Sequence, residues 1–126
     1  MPFIHIKSLP LAYPVEMDAV VTSIARRFSE ETHIELKHIH VTWEFIQSGL
    51  YARGDETPTL QPTEGVPVIV DLLIPDSNTD KDIHHMMETI ASAIAGSSGI
   101  SRENIFINCR MAQSGRVFDA GDIVHW

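Results

Sequence analysis

A single cysteine, Cys109, stands in 126 residues. It has no partner for an intramolecular disulfide, and a cysteine-built zinc site is excluded with it. Basic residues are scarce too: nine Lys and Arg face 17 Asp and Glu, a formal charge of −8. Nonspecific nucleic-acid binding depends on neutralising phosphates, so this balance argues against it. An anionic membrane surface is disfavoured on the same ground. No apolar run approaches the roughly 18 residues of a membrane span. The amino-terminal segment lacks the basic stretch and apolar core of a signal peptide, so a cytoplasmic protein is expected. No phosphate-cradling glycine loop or Ser-His-Asp arrangement stands out. The seven histidines show no metal-ligand spacing, because His84 and His85 are adjacent and diverge on a helix. No metal or cofactor is expected. His38 and His40 are read as sharing one strand face, and His5 and His40 as hydrogen-bonded residues of a sheet.

What is present is a plan written twice. The length suits one domain, 1–126, with halves 2–48 and 66–114, a polar loop 49–65 and a tail 115–126. PFIHIK (2–7) has β-branched residues at strand spacing. From Val15 to Thr32, residues Met17, Val20, Val21, Ile24 and Phe28 form one face of an amphipathic helix. Pro14 suits its first turn. HIHVTWEFI (38–46) predicts a second strand, with Ile39, Val41, Trp43 and Phe45 on one side.

VPVIVDLLI (66–74) then predicts a third strand. In the next helix Ile83, Met86, Met87, Ile90 and Ile94 each fall 66 residues after their counterparts in the first. Thr79 or Asn78 is placed to cap it and Gly96 to end it. NIFINCRMAQSG (104–115) follows HIHVTWEFIQSG (38–49) at the same spacing and shares Ile39/Ile105, Gln47/Gln113, Ser48/Ser114 and Gly49/Gly115. Pro2 and Pro10 are echoed by Pro67 and Pro75 at a spacing of 65. The expected fold is α+β: two pseudosymmetric βαβ units with right-handed crossovers, forming a four-stranded sheet with two helices on one face.

That fold leaves one sheet face open. In the third strand Val66, Val68, Val70, Leu72 and Ile74 alternate with Ile69 and Leu73, so both sides are apolar and both require cover. Further copies of the chain in a closed ring supply it most simply. The loop is long enough to act as a lid or a subunit-crossing arm. The tail ends in Ile123, Val124 and Trp126, which would be adhesive if exposed and are expected to dock.

Pro2 poses a chemical question. With Met1 attached, its nitrogen is a tertiary amide with neither basicity nor a proton. With Met1 removed, it is a free secondary amine able to act as a base. An α-amino group titrates at about 7.7–8, and desolvation or nearby cations lower that value. A base poised near the operating pH transfers protons best, and the ring fixes the direction of its lone pair. Pro67, inside the chain, cannot serve and is read as a strand-starting proline.

Pro2 with its short apolar strand, the doubled βαβ plan, and Ile100-Ser101 followed by Ile105-Phe106-Ile107-Asn108 together resemble the tautomerase superfamily. That superfamily includes 4-oxalocrotonate tautomerase, 5-carboxymethyl-2-hydroxymuconate isomerase and macrophage migration inhibitory factor. The last segment is similar to the I-S-x-x-x-V-Y-I-N stretch of the inhibitory factor. The resemblance implies a homotrimer with sheets inward and helices outward. It implies an amino-terminal proline base, in a pocket near subunit boundaries, that moves a proton on a small enolisable keto acid. On it Phe106 and Asn108 fall where the inhibitory factor has a pocket tyrosine and asparagine, and Ile74 falls where the family has an apolar pocket residue.

The chain also departs from the pattern. Phe106 keeps the ring but lacks the phenolic O–H. Ile34 stands where the inhibitory factor has its pocket lysine. Cations to hold a substrate carboxylate are therefore sought elsewhere, in Lys37, Arg53, Arg110 and Arg116; Arg110 shares the strand face of Phe106 and Asn108. The functional expectation is a tautomerase or isomerase with Pro2 as general base. The alternative is a noncatalytic trimer of the same fold that binds a ligand or partner.

Overall fold

The computed structural model describes residues 1–126. Strand β1 (Phe3–Ser8) leads to helix α1 (Met17–Thr32) and strand β2 (His40–Phe45). Strand β3 (Val68–Pro75) leads to helix α2 (Asp80–Ser98) and strand β4 (Ile105–Ala112). The sheet order is β2-β1-β3-β4. β1/β2 and β3/β4 pair in parallel, and the antiparallel β1/β3 pair joins the halves. This is the expected α+β sheet of two βαβ units. No helix is long and apolar enough to cross a membrane.

Both helices lie on one sheet face because their periodic apolar residues match it. α1 buries Val20, Ile24 and Phe28, and α2 buries Met86, Ile90 and Ile94 at the same steps. They pack on Ile4 and Ile6 of β1 and on Val68, Val70, Leu72 and Ile74 of β3. Burying each such side chain stabilises the fold by about 1.5–3 kcal/mol. Thr79 caps α2: its hydroxyl accepts from the Asp82 N–H while the Asp82 carboxylate accepts from the Thr79 N–H. The helix runs through Gly96 and ends at Gly99, whose φ of 77° places its N–H on the Ala95 carbonyl.

The strand registers correct one part of the sequence reading. A repeat of 66 residues maps Ile4 onto Val70 and Ile6 onto Leu72, all against the helices. It also maps the pair Phe3–His40 onto Ile69–Phe106. A spacing of 65 would exchange the two faces. The counterpart of Pro2 is therefore Val68, and Pro67 echoes Pro2 in sequence alone. The pseudo-twofold axis passes between His5 and Asp71, which face each other across β1 and β3.

The open face differs from the expectation of a second apolar surface. Its rows across β2-β1-β3-β4 are His40–Phe3–Leu73–Arg110, Thr42–His5–Asp71–Asn108 and Glu44–Lys7–Ile69–Phe106. Phe3, Leu73, Ile69 and Phe106 are the apolar members of this face, and the other eight positions are polar or charged. A shallow depression of about 330 Å³ lies over its centre. His38 is not part of it; it belongs to the 3₁₀ turn Leu36–His38 that precedes β2.

The long loop is anchored by Gln61, fully buried, whose amide donates to the Val66 carbonyl and accepts from the Thr63 N–H. The tail forms a hairpin, β5 (Val117–Asp119) and β6 (Asp122–Val124). Its two turn residues, Ala120 and Gly121, both have positive φ. Trp126 docks on its own chain, its indole N–H donating to the Asp76 carboxylate at 2.8 Å. Phe118 remains 70% exposed on the hairpin.

Candidate active site

Pro2 extends β1 by one residue: its carbonyl accepts the His40 N–H at 3.1 Å. One further step in the registers sets it beside Ile74 of β3 and next to Ile39, just before β2. All three are buried. The nitrogen of residue 2 thus sits at the edge of the apolar core, where a charged ammonium would be poorly solvated.

Phe106, Asn108 and Arg110 form a stripe along the open face of edge strand β4, as strand alternation requires. Phe106 is 55% exposed. Arg110 is committed to Asp71 of β3: Nε donates to Oδ1 at 3.0 Å and to Oδ2 at 3.1 Å, and Nη2 donates to Oδ2 at 2.5 Å. The guanidinium, by hydrogen bond and by charge, holds the Asp71 carboxyl below the usual carboxylate range, and Asp71 in turn raises Arg110. Asn108 is the register partner of Asp71.

Lys37 and Arg53 are engaged elsewhere, and Arg116 lies in the turn between β4 and the tail hairpin, its backbone N–H on the Gln113 carbonyl. Lys37 lies in the 3₁₀ turn before β2, at the Pro2 end of the sheet, and pairs with Glu35 at 3.2 Å; both side chains are exposed. Arg53 belongs to the loop, where its backbone closes a bridge with Glu56 and its guanidinium lies over Gly65. The structure therefore brings Pro2 together with Ile74, and Phe106 together with Asn108 and Arg110. It sets the two groups on opposite faces of one chain's sheet, two strands apart. None of the surface depressions of a single chain includes Pro2.

Sequence reasoning missed Asp71. Alternation places it on the open face, but only the β3/β4 register reveals Arg110 as its diagonal neighbour. His5 is hydrogen-bonded in the sheet as expected, its Nδ1 lying 2.8 Å from the Thr42 hydroxyl, whereas the stacking of Phe3 on His40 at a centroid distance of 4.5 Å was not foreseen. Cys109 faces the helices, and burial pushes its thiol pKa up. It is therefore a poor nucleophile.

No family model and no curated protein sequence matches this chain. Solved structures do. The chain is similar to a protein inactivated by 2-oxo-3-pentynoate, at 11% identity and a TM-score of 0.79, over 97% of this chain and 94% of that one. It is similar to a fused 4-OT in its symmetric trimer, at 9% identity and a TM-score of 0.78, over 97% and 94% of the two chains. A macrophage migration inhibitory factor-like protein from Entamoeba histolytica matches at 12% identity and a TM-score of 0.68, over 96% and 97%. Two βαβ units related by a pseudo-twofold axis, with both helices on one face of a β2-β1-β3-β4 sheet, are the fold of the tautomerase superfamily, and this chain has that fold.

Proposed function

We propose that this chain is a tautomerase of small enolisable keto acids whose general base is the Pro2 nitrogen once Met1 has been removed. One observation carries the reading: on a tautomerase fold, residue 2 is a proline at the start of the central strand β1, bordered by buried Ile39 and Ile74. The amine takes a proton from the carbon next to the carbonyl, the electron pair moves to the carbonyl oxygen, and the enol forms on reprotonation there. Returning the proton to carbon gives the ketone. No redox partner enters this balance, so the reaction requires no cofactor.

Asn108 orients the carbonyl and Phe106 packs against the substrate. A carboxylate is held by Lys37, Arg53 or Arg110. These groups are divided between two sheet faces, so the site is completed by assembly. A homotrimer closes the ring, as in the symmetric trimer of the fused 4-OT. The edge strands β2 and β4 fit this role, since each leaves one side unpaired and carries an exposed aromatic, Phe45 or Phe106.

A second reading is a noncatalytic trimer that binds a ligand or partner. It is favoured by Phe106, which has no acidic O–H, and by the engagement of Arg110 with Asp71. Intact mass, sedimentation and kinetics on untagged protein separate the two. Catalysis predicts loss of Met1, three chains per particle, and phenylpyruvate ketonisation that falls about 10²-fold or more in Pro2→Ala. A retained Met1, or a rate unchanged in Pro2→Ala, refutes the proline base.

A further inference from the structure

We propose that Asp71 is a specificity-determining residue: its carboxylate occupies the anion-binding fork of Arg110 and turns the site against substrates that carry a second carboxylate. The inference rests on the tautomerase reading for its substrate class and on the geometry of the open face for its substance. A guanidinium recognises a carboxylate through two parallel N–H donors. In this chain that recognition is already made, from Nε and Nη2 to the two oxygens of Asp71.

The two candidate ion pairs at this end of the sheet differ in character. The Lys37–Glu35 pair is monodentate, with both side chains about 70% exposed (72% and 69%). Such pairs are weak and exchange readily with solvent. Asp71 is set into the sheet face, its side chain 34% exposed, and is held by three donor contacts. Arg110 is itself 58% exposed, so the hold on Asp71 comes from the forked geometry of the contact and not from burial. An incoming dianion has to displace Asp71 or lie beside it as a like charge, whereas the single carboxylate of a 2-oxo monoacid is left to Lys37.

Asp71 is also not demanded by the fold. Its pseudosymmetric counterpart on the same axis is His5, which bonds to the Thr42 hydroxyl and leaves Glu44, the counterpart of Arg110, without an ion-pair partner. The two βαβ units thus build the same sheet position with opposite electrostatics. One half frees its charged residue and the other neutralises it.

The test compares the mature trimer with Asp71→Asn, with Asp71→Ser as a second variant in case the first misfolds, and with Asp71→Asn/Arg110→Gln. Binding of 2-oxoglutarate is measured by titration calorimetry in every variant, with the Arg110 Nε–H resonance followed wherever Arg110 is present, and turnover is read as kcat and KM for 2-hydroxymuconate and phenylpyruvate. In the wild type the Arg110 resonance stays unmoved by 2-oxoglutarate. Asp71→Asn or Asp71→Ser tightens 2-oxoglutarate binding about tenfold or more, and the double variant loses that gain. The ratio of kcat/KM for 2-hydroxymuconate to that for phenylpyruvate rises to a similar extent, through KM. Equal 2-oxoglutarate affinity in the wild type and both single variants overturns the proposal. If the binding gain appears while no variant turns over either acid, the Asp71 assignment stands and the tautomerase reading fails.

Discussion

Arg110 and Asp71 show how one cross-strand contact sets chemistry that neither residue reveals alone. Arginine on the Phe106/Asn108 face looks like a carboxylate clamp in the sequence, and strand alternation correctly places it there. Its engagement was not legible, because a diagonal pair across β3 and β4 exists only once their register is fixed. The pair has a consequence for stability. Asp71 is held below its ordinary pKa by Arg110, so the folded chain keeps it ionised where the unfolded chain would bind a proton. That contribution is complete above the unfolded carboxylate value of about 3.9 and is lost as pH falls through the lower folded value. Asp82, lowered by the Thr79 backbone and hydroxyl, acts in the same direction. Urea denaturation between pH 2 and pH 5 should therefore give Asp71→Asn a flatter acid limb than the wild type. Parallel limbs would show that the pair contributes nothing there.

At the scale of elements, the helices were the most legible part. The 3.6-residue period and the 66-residue repeat identified the residues that α1 and α2 bury, and Thr79 was a correct cap. Boundaries shifted where local hydrogen bonding competed with the pattern. The expected strand start at His38 is taken by a 3₁₀ turn, with the His38 N–H on the Glu35 carbonyl. Gly96 lies within the last stretch of α2, and the left-handed position falls at Gly99. The hairpin β5/β6 escaped notice because its turn, Ala120-Gly121, lacks the usual Asn-Gly or Asp-Gly signature. The cap of α2 gives a test at this scale. Thr79→Ala removes one acceptor and the capping box with it, and should lower stability by about 1 kcal/mol. Chemical denaturation at fixed protein concentration reads this directly, and an unchanged midpoint would mean the cap is redundant.

For the molecule as a whole, the doubled plan was readable while the geometry between its halves was not. The antiparallel β1/β3 pairing places His5 and Asp71 on the pseudo-twofold axis and fixes which residues share the open face. That face is mixed, with Phe3, Leu73, Ile69 and Phe106 among eight polar or charged residues. The unpaired edges β2 and β4, which carry the exposed Phe45 and Phe106, are the features that favour the proposed ring. The same division of candidate residues between faces explains why one chain shows no pocket at Pro2. Function in this account therefore depends on one amine, uncapped and set at a subunit boundary.

Reaction of the native protein with 2-oxo-3-pentynoate, followed by peptide mapping, tests that dependence most directly. A free secondary amine adds to the activated alkyne and gains the mass of the reagent, while the half-buried Cys109 thiol, with its raised pKa, reacts slowly. One adduct per chain is expected, on Pro2, with the Pro2→Ala variant unlabelled at residue 2. Adducts confined to Cys109 or lysine, or an unmodified Pro2 in a chain that has lost Met1, would contradict it.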